Sequence, residues 1–299
     1  MIKYSIIIPH FNRPDLIING IKSFKNLKDK EIIIIDAMSS DENIEKLQNN
    51  LKLIEQEQNV NLVLSNERLS NSSARNKGLS LAKGKWIYFI DDDDEAREKF
   101  IKFLNKDKLK SKYDFYRFPN IEKKNKKFKS IIIKISPWNN RYSPQVSTFL
   151  FNKDFLIKNN IQFNPRYCYG EDRFFAMVLF SQSNVKHKYV PIFSFNYNIF
   201  SSVNSLMRKE YLTPKDNLEI INDILASNYK NKKAISLEIL LSDFFWLFLK
   251  KTYKNKNESL KIYKEYMKKI SPGIITWIKL DAVSKCFYFL YLIKSIKKS

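Results

Sequence analysis

The chain has 299 residues, 44% of them hydrophobic and 14% aromatic, with a formal net charge of +22; this is enough for one large domain, or a domain with an appendage, around an ample core. Two cysteines, Cys168 and Cys286, exclude a disulfide framework and suit a reducing cytosol. No stretch reaches the roughly 18 uncharged apolar residues of a spanning helix, and the apolar run of "MIKYSIIIPHF" is too short for a signal peptide, so a cytoplasmic protein is expected, soluble or peripheral on the inner face of the membrane.

Along the chain, "YSIIIP" reads as a buried strand, a short β-branched run stopped by Pro9. Helical spacing follows at Leu16, Ile17, Ile21 and Phe24. "EIIIID" is a second buried strand, and Ile44, Leu47, Leu51 and Ile54 then repeat at helical intervals. "NLVLS" is a third strand, "NSSARNKGLSLAKG" a helix with Gly84 as its C-terminal stop, and "WIYFI" a fourth strand. Strands that are apolar throughout and alternate with helices predict a parallel sheet covered on both faces. Such sheets bind ligands beyond the carboxyl ends of their strands.

A helix over 98–109 follows, and then the pattern changes. "YDFYRF", "FKSIIIKI", "VSTFLF" and "KYVPIFSFNYN" read as strands, with the lysine-rich "EKKNKKFK" as a solvated turn and a helix from Arg173 to Ser181. From Thr213 on, the spacing predicts only helix. Domain limits are expected at 1–210, divided into 1–97 and 98–210, and at 211–299. The charge follows this division. Residues 1–100 carry 15 Lys and Arg against 16 Asp and Glu, so the basic excess lies beyond them. That excess fits an anionic partner such as a phosphorylated ligand, a membrane surface or nucleic acid, or else simply solvated lysine.

Four consecutive aspartates, Asp91 to Asp94, end the fourth strand. Adjacent carboxylates need a cation or a proton, and a hard divalent metal shared with substrate phosphates is the natural resident. In an extended chain Asp91 and Asp93 would face one way and Asp92 and Asp94 the other. Capping the next helix is the plainer alternative, but it needs only one aspartate. Ala96 stands where an EF-hand loop needs glycine, and two histidines, His10 and His187, are too few for a His-rich zinc site. Neither glycine-rich phosphate motif is present, so bound phosphates would rely on a metal and on Arg or Lys side chains, with Arg75 on the same side of the sheet.

"SIIIPHFNRPDLI", "EIIIIDAMSSDEN", "SSARNKGLSLAKGKWIYFIDDDD" and "YGEDRFF", in this order and spacing, resemble the glycosyltransferase family 2 enzymes over about residues 1–180. The resemblance implies an α/β protein of GT-A (Rossmann-like) fold, with a mostly parallel sheet, helices on both faces and a C-terminal helical extension. It also implies a nucleotide-sugar donor, a Mn²⁺ or Mg²⁺ ion and inversion at the anomeric carbon. Pro9 and Phe11 match the loop where base and ribose lie, Asp36 the aspartate that helps hold the nucleoside, and Arg75 the arginine that reaches the nucleotide side. Asp91 and Asp93 match the D-x-D motif, with Asp93 as the direct metal ligand and Asp92 as its rival in a register ambiguous by one. Asp172 matches the catalytic base, with Glu171 beside it. Where the family commonly has "DDGS", this chain has "DAMS": Ala37 and Met38 replace an acid and a glycine, and base recognition must rest elsewhere.

Glycosyl transfer needs a base for the acceptor hydroxyl and charge stabilisation for the leaving diphosphate, which a metal supplies without a second carboxylic acid. Asp172 precedes an apolar helix whose N–H groups favour its ionised form, although a plain helix-start acid would look the same. The expected acceptor is a glycan or lipid-linked glycan of a bacterial lipooligosaccharide, capsule or related surface polymer. Trp246, Trp277, Phe287, Tyr288, Phe289 and Tyr291 read either as core or as a face resting on an anionic membrane. A nucleotidyl- or phosphotransferase using the same aspartates is the alternative. A nucleic-acid binder is disfavoured by the neutral first third and the lack of any recognisable motif.

Overall fold

The structure, a computed structural model, describes residues 2–54, 59–106, 108–119, 145–167, 170–182, 184–196 and 214–228, together with 232, 233 and 236. The first half alternates as its periodicity predicts: strand β1 (Tyr4–His10), helix α1 (Leu16–Ser23), β2 (Lys30–Asp36), α2 (Asp41–Lys52), β3 (Val60–Leu64), α3 (Asn71–Leu81) and β4 (Trp86–Phe89). After these come β5 (Glu95–Ala96), α4 (Glu98–Asn105), β6 (Phe115–Arg117), a 3₁₀ turn (Val146–Thr148), β7 (Phe149–Asn152) and α5 (Lys153–Lys158). The last described elements are α6 (Glu171–Ser181), β8 (His187–Tyr189), β9 (Phe195–Asn196) and α7 (Pro214–Ala226).

Among the described residues, seven strands form one sheet in the order β3-β2-β1-β4-β7-β6-β8. β1 is parallel to β2 and β4, and β2 to β3, while β7 runs antiparallel to both its neighbours. Every residue of β1 and β2 is buried, because side chains alternate between two covered faces. On one face Ile6, Ile8, Ile32, Ile34, Trp86 and Tyr88 pack with Ile17 and Ile21 of α1, Phe24 just past its end, Leu47 and Leu51 of α2, and Phe100 and Leu104 of α4. Each such fully buried side chain stabilises the fold by about 1.5–3 kcal/mol. On the other face α3 lies against β1 and β2, and Phe89 meets Phe151, Phe163 and Phe175 edge-on or tilted.

Ser40 and Ser70 set the starts of α2 and α3, each accepting a hydrogen bond from the backbone N–H three residues on. Gly84 does not stop α3 as a left-handed cap; the helix ends at Leu81 and Ala82 is extended. Its lack of a side chain serves a close approach instead, since a Cβ there would sit 2.6 Å from the Ser5 nitrogen and the Tyr4 carbonyl carbon. "KYVPIFSFNYN" is not one strand. It divides into β8 and β9, because Pro191 has no N–H to continue the ladder, and β9 pairs with β5 in a separate two-stranded sheet. The helix expected over 98–109 ends at Asn105, and "VSTFLF" begins as a 3₁₀ turn before it extends.

The described residues fall into two compact units. One holds the described residues of 2–119, 145–175 and 184–196 and carries both sheets. The other holds the described residues of 176–182 and 214–236; in it α7 buries Leu218, Ile221 and Ile224. "FKSIIIKI", its lysine-rich turn and the aromatic segments from Trp246 to Tyr291 lie outside the described residues. Among the described residues, no helix is long and apolar enough to cross a membrane.

Candidate active site

The carboxyl ends of β1, β2 and β4 meet along one edge of the sheet, and the register sets His10 opposite Asp36. The Arg13 N–H donates to His10 Nε2 at 3.3 Å, so the ring proton sits on Nδ1, which donates to Asp36 Oδ2 at 2.8 Å. Ser39 adds its N–H to Oδ1 at 2.8 Å and its hydroxyl to Oδ2 at 2.5 Å. Burial pushes the Asp36 pKa up, but the His10 and Ser39 hydrogen bonds outweigh it, and the carboxyl stays below its ordinary range. Asp36 is thereby held ionised in one orientation. Pro9, by contrast, is buried within β1.

Beside this acid the Arg68 guanidinium lies 3.0 Å from the centre of the Phe11 ring and donates to the Ala37 carbonyl at 3.1 Å. The side chain of Ala37 is buried. Met38 takes φ 69 and is 53% exposed, holding without glycine a backbone region that glycine adopts freely.

The four aspartates do not continue as an extended strand. The Asp94 N–H donates to the Asp91 carbonyl at 3.1 Å, closing a turn that breaks the expected alternation. Asp91, Asp93 and Asp94 each present an oxygen within 4.8 Å of the others, so Asp94 joins the pair picked out by the D-x-D pattern. Asp92 turns inward, 1% exposed, where its Oδ1 lies 2.5 Å from Arg13 Nη2. That contact is an ion pair by distance but poorly aligned, and neither Asp92 oxygen has a directed donor. Burial pushes the Asp92 pKa up to about 7 against the opposing charge of Arg13. Burial also raises Asp93, whose Oδ2 accepts from Arg13 Nη1 at 2.9 Å. Clustered hard oxygen donors, three of them within 4.8 Å of one another, fit Mn²⁺ or Mg²⁺.

Arg75 ties this turn to the other acidic pair. Its side chain is 2% exposed; Nη2 donates to Asp91 at 2.8 Å, and Nη1 reaches Glu171 at 3.1 Å and Asp172 at 3.0 Å. Burial works against the Arg75 charge, but Asp172, Asp91 and Glu171 more than offset it and raise its pKa. Gly170, at φ 76, takes the left-handed conformation that turns the chain into α6, whose first two residues are Glu171 and Asp172. The Val146 N–H holds the second Asp172 oxygen at 3.1 Å. The 3₁₀ turn carrying Val146 is pinned in its turn, because the Tyr88 and Ser194 hydroxyls both donate to the Ser147 carbonyl. Burial raises Asp172 to about 7, opposed by Arg75 and reinforced by Glu171. Asp91, Asp92, Asp93, Glu171 and Asp172 share two guanidiniums, so these pairings leave excess negative charge for a divalent cation to offset.

Sequence reasoning did not single out Arg13, Arg68 or Asn76, and its extended-chain alternation set Asp94 away from Asp91 and Asp93. Asn76 pins residue 163 through paired bonds of 2.8 and 2.9 Å, and Phe163 stacks on Phe175 at 4.0 Å. Arg13 and Asn76 stood inside the quoted motifs, but only their contacts reveal their use.

Residues 5–180 match the model of the glycosyl transferase family 2. Over 98 residues the chain is 39% identical to a GalNAc(5)-diNAcBac-PP-undecaprenol beta-1,3-glucosyltransferase of Campylobacter jejuni, covering 32% of this chain and 31% of that one. The match thus spans about a third of that relative's length. The structure of S. aureus TarS 1-349 in complex with UDP-GlcNAc shares the fold at a TM-score of 0.66 and 17% identity, over 93% of this chain and 84% of that one. The mannosyltransferase PcManGT of Pyrobaculum calidifontis, in complex with GDP-Man and Mn²⁺, does so at 0.52 and 11% identity, over 99% and 76%.

Proposed function

This chain belongs to glycosyl transferase family 2, and from that premise we propose that it moves a sugar from a nucleoside-diphosphate sugar, a UDP-sugar first among them, to a hydroxyl of a glycan acceptor with inversion at the anomeric carbon. The observation that carries this reading is the Arg75 bridge, which holds Asp91 of the acidic turn within one guanidinium of the Glu171–Asp172 pair. Donor-side and acceptor-side acids are thus set in one rigid arrangement before either substrate binds.

Asp172 is the general base. Its oxygens are oriented by Arg75 and by the Val146 N–H, and the side chain keeps 21% exposure through which a hydroxyl can approach. As the acceptor oxygen bonds to the anomeric carbon, its proton passes to Asp172 and the carbon–phosphate oxygen bond breaks, with the electron pair leaving on the diphosphate. Asp36 orients the nucleoside, with Phe11 and Arg68 beside it. Asp91, Asp93 and Asp94 would hold Mn²⁺ or Mg²⁺, which when bound supplies positive charge against the leaving diphosphate. The Mn²⁺ in the PcManGT complex supports that choice of ion. UDP-GlcNAc in the TarS complex supports a uridine donor.

A lipid-linked or surface glycan acceptor is supported by the undecaprenol-linked glycan named for the Campylobacter relative. The basic excess beyond residue 100 would let the protein rest on the anionic membrane that carries such an acceptor. The test is calorimetric titration of UDP, GDP, dTDP and CMP with Mn²⁺ and with EDTA, on the wild type and Asp93→Asn. One nucleotide should bind only with metal, and the variant should lose it. A folded protein that binds none of them in Mn²⁺ overturns the reading.

A further inference from the structure

Arg13 is a cation at the acidic turn that the transfer chemistry above does not use. Its backbone is fixed: the N–H donates to His10 Nε2, and the carbonyl accepts from the Leu16 and Ile17 N–H groups at the start of α1. Its side chain is 36% exposed and divides its nitrogens between Asp92 and Asp93. Those two carboxylates are not equivalent. Asp92 is 1% exposed and stands outside the three-carboxylate group, whereas Asp93 is 23% exposed and belongs to it. The fork aligns with Asp93 and not with Asp92.

We propose that Arg13 is the protein's own counter-cation for the acidic turn: it stays with buried Asp92, yields Asp93 to the incoming divalent cation, and turns its freed nitrogens toward the donor's diphosphate. The proposal rests on the metal-assisted reading above, but concerns what occupies the carboxylates when no cation is bound. Physically, a guanidinium and a divalent cation on one carboxylate repel each other; buried Arg75 has no room to leave Asp91, whereas the half-exposed Arg13 can leave Asp93. Fixing the Arg13 backbone while leaving its side chain half-exposed lets the head group change partner without moving the fold. By linkage, a diphosphate that takes up the displaced guanidinium strengthens metal binding, and the metal strengthens nucleotide binding by the same factor.

The test uses the full chain, with Mn²⁺ alone and UDP at saturating Mn²⁺ as probes, on the wild type, Arg13→Gln and Arg13→Lys, each checked for folding by thermal melting. Free Mn²⁺ is read by electron paramagnetic resonance and UDP binding by calorimetry. Arg13→Gln should bind Mn²⁺ alone about tenfold more tightly, and UDP about tenfold more weakly, each shift corresponding to 1.4 kcal/mol. Arg13→Lys keeps the charge without the fork and should fall between on both; if Arg13→Gln does not fold, Arg13→Lys carries the test with the same signs. Unchanged or weaker Mn²⁺ binding in the variants, or undiminished UDP binding, overturns the role of Arg13 alone. A wild type that binds neither probe overturns the proposed function instead.

Discussion

Two arginines divide the acidic edge of this sheet, and they differ more in surroundings than in partners. Arg75 rises from α3 with its side chain 2% exposed and spans Asp91, Glu171 and Asp172. Arg13 comes from the loop between β1 and α1, is 36% exposed, and spans Asp92 and Asp93. Both pair with carboxylates, Arg75 through three hydrogen bonds and Arg13 through one to Asp93 and a misaligned contact with Asp92. What separates them is solvent: a buried ion pair is very costly to break, because the charge left behind has no water to turn to, while an exposed one exchanges readily. The edge therefore carries one fixed pairing, which sets geometry, and one exchangeable pairing, which can yield to a ligand.

Breaking the fixed pairing should have the largest effect. Arg75→Leu leaves three carboxylates without their shared cation and should lower unfolding stability by about 3–5 kcal/mol in a urea titration, with transfer activity lost. Arg75→Lys, one point charge in place of a fork, should restore only part of either. Next comes Asp172→Asn, which keeps the shape of the site but cannot accept a proton. Its turnover should fall by about 10²- to 10⁴-fold while metal-dependent UDP affinity holds. Equal losses of affinity and turnover would make Asp172 a donor-binding group instead.

The pH dependence should be smaller and directional. Burial holds the Asp172 carboxyl near 7, so it is protonated and idle as a base below that pH; turnover should rise with pH through about 7 and level off above. The Glu171 charge is one cause of the elevation, so Glu171→Gln should move the rising limb to lower pH. A limb that moves upward would mean that Glu171 stabilises the ionised base rather than opposing it. The smallest effect should come from the exchangeable pairing: Arg13→Gln should lower unfolding stability by less than Arg75→Leu does, because Asp93 stays in contact with water and only Asp92 is left buried without its cation.

Much of the nucleotide-side half was legible in the sequence, because its elements follow from local pattern. The β-branched runs at Ile6–Ile8 and Ile32–Ile35 could only be strands buried on both faces, and the apolar spacing of α1 and α2 named the side chains that cover one face. Past residue 97 legibility falls. The described strands there are two to four residues long, too short for a period to declare itself, and "KYVPIFSFNYN" misled because its apolar content belongs to two different sheets. The motif residues were legible as a set, but not in their pairings. Asp94 was assigned to the wrong side of the chain because alternation presumes extended backbone, and the Asp94–Asp91 hydrogen bond closes a turn.

The sequence by itself determined where the strands of the first half run and where four carboxylates gather at a strand end, both of which depend on neighbours within a few positions along the chain, and the order of its motifs determined which family of sites they resemble. Only the tertiary structure decided that Arg75 serves carboxylates 16, 96 and 97 positions away, that Arg13 reaches 80 positions to Asp93, and that one of these arginines is sealed while the other stays in contact with water. The worth of an ion pair depends on the dielectric around it, and that is set by packing between distant segments, which local sequence does not encode.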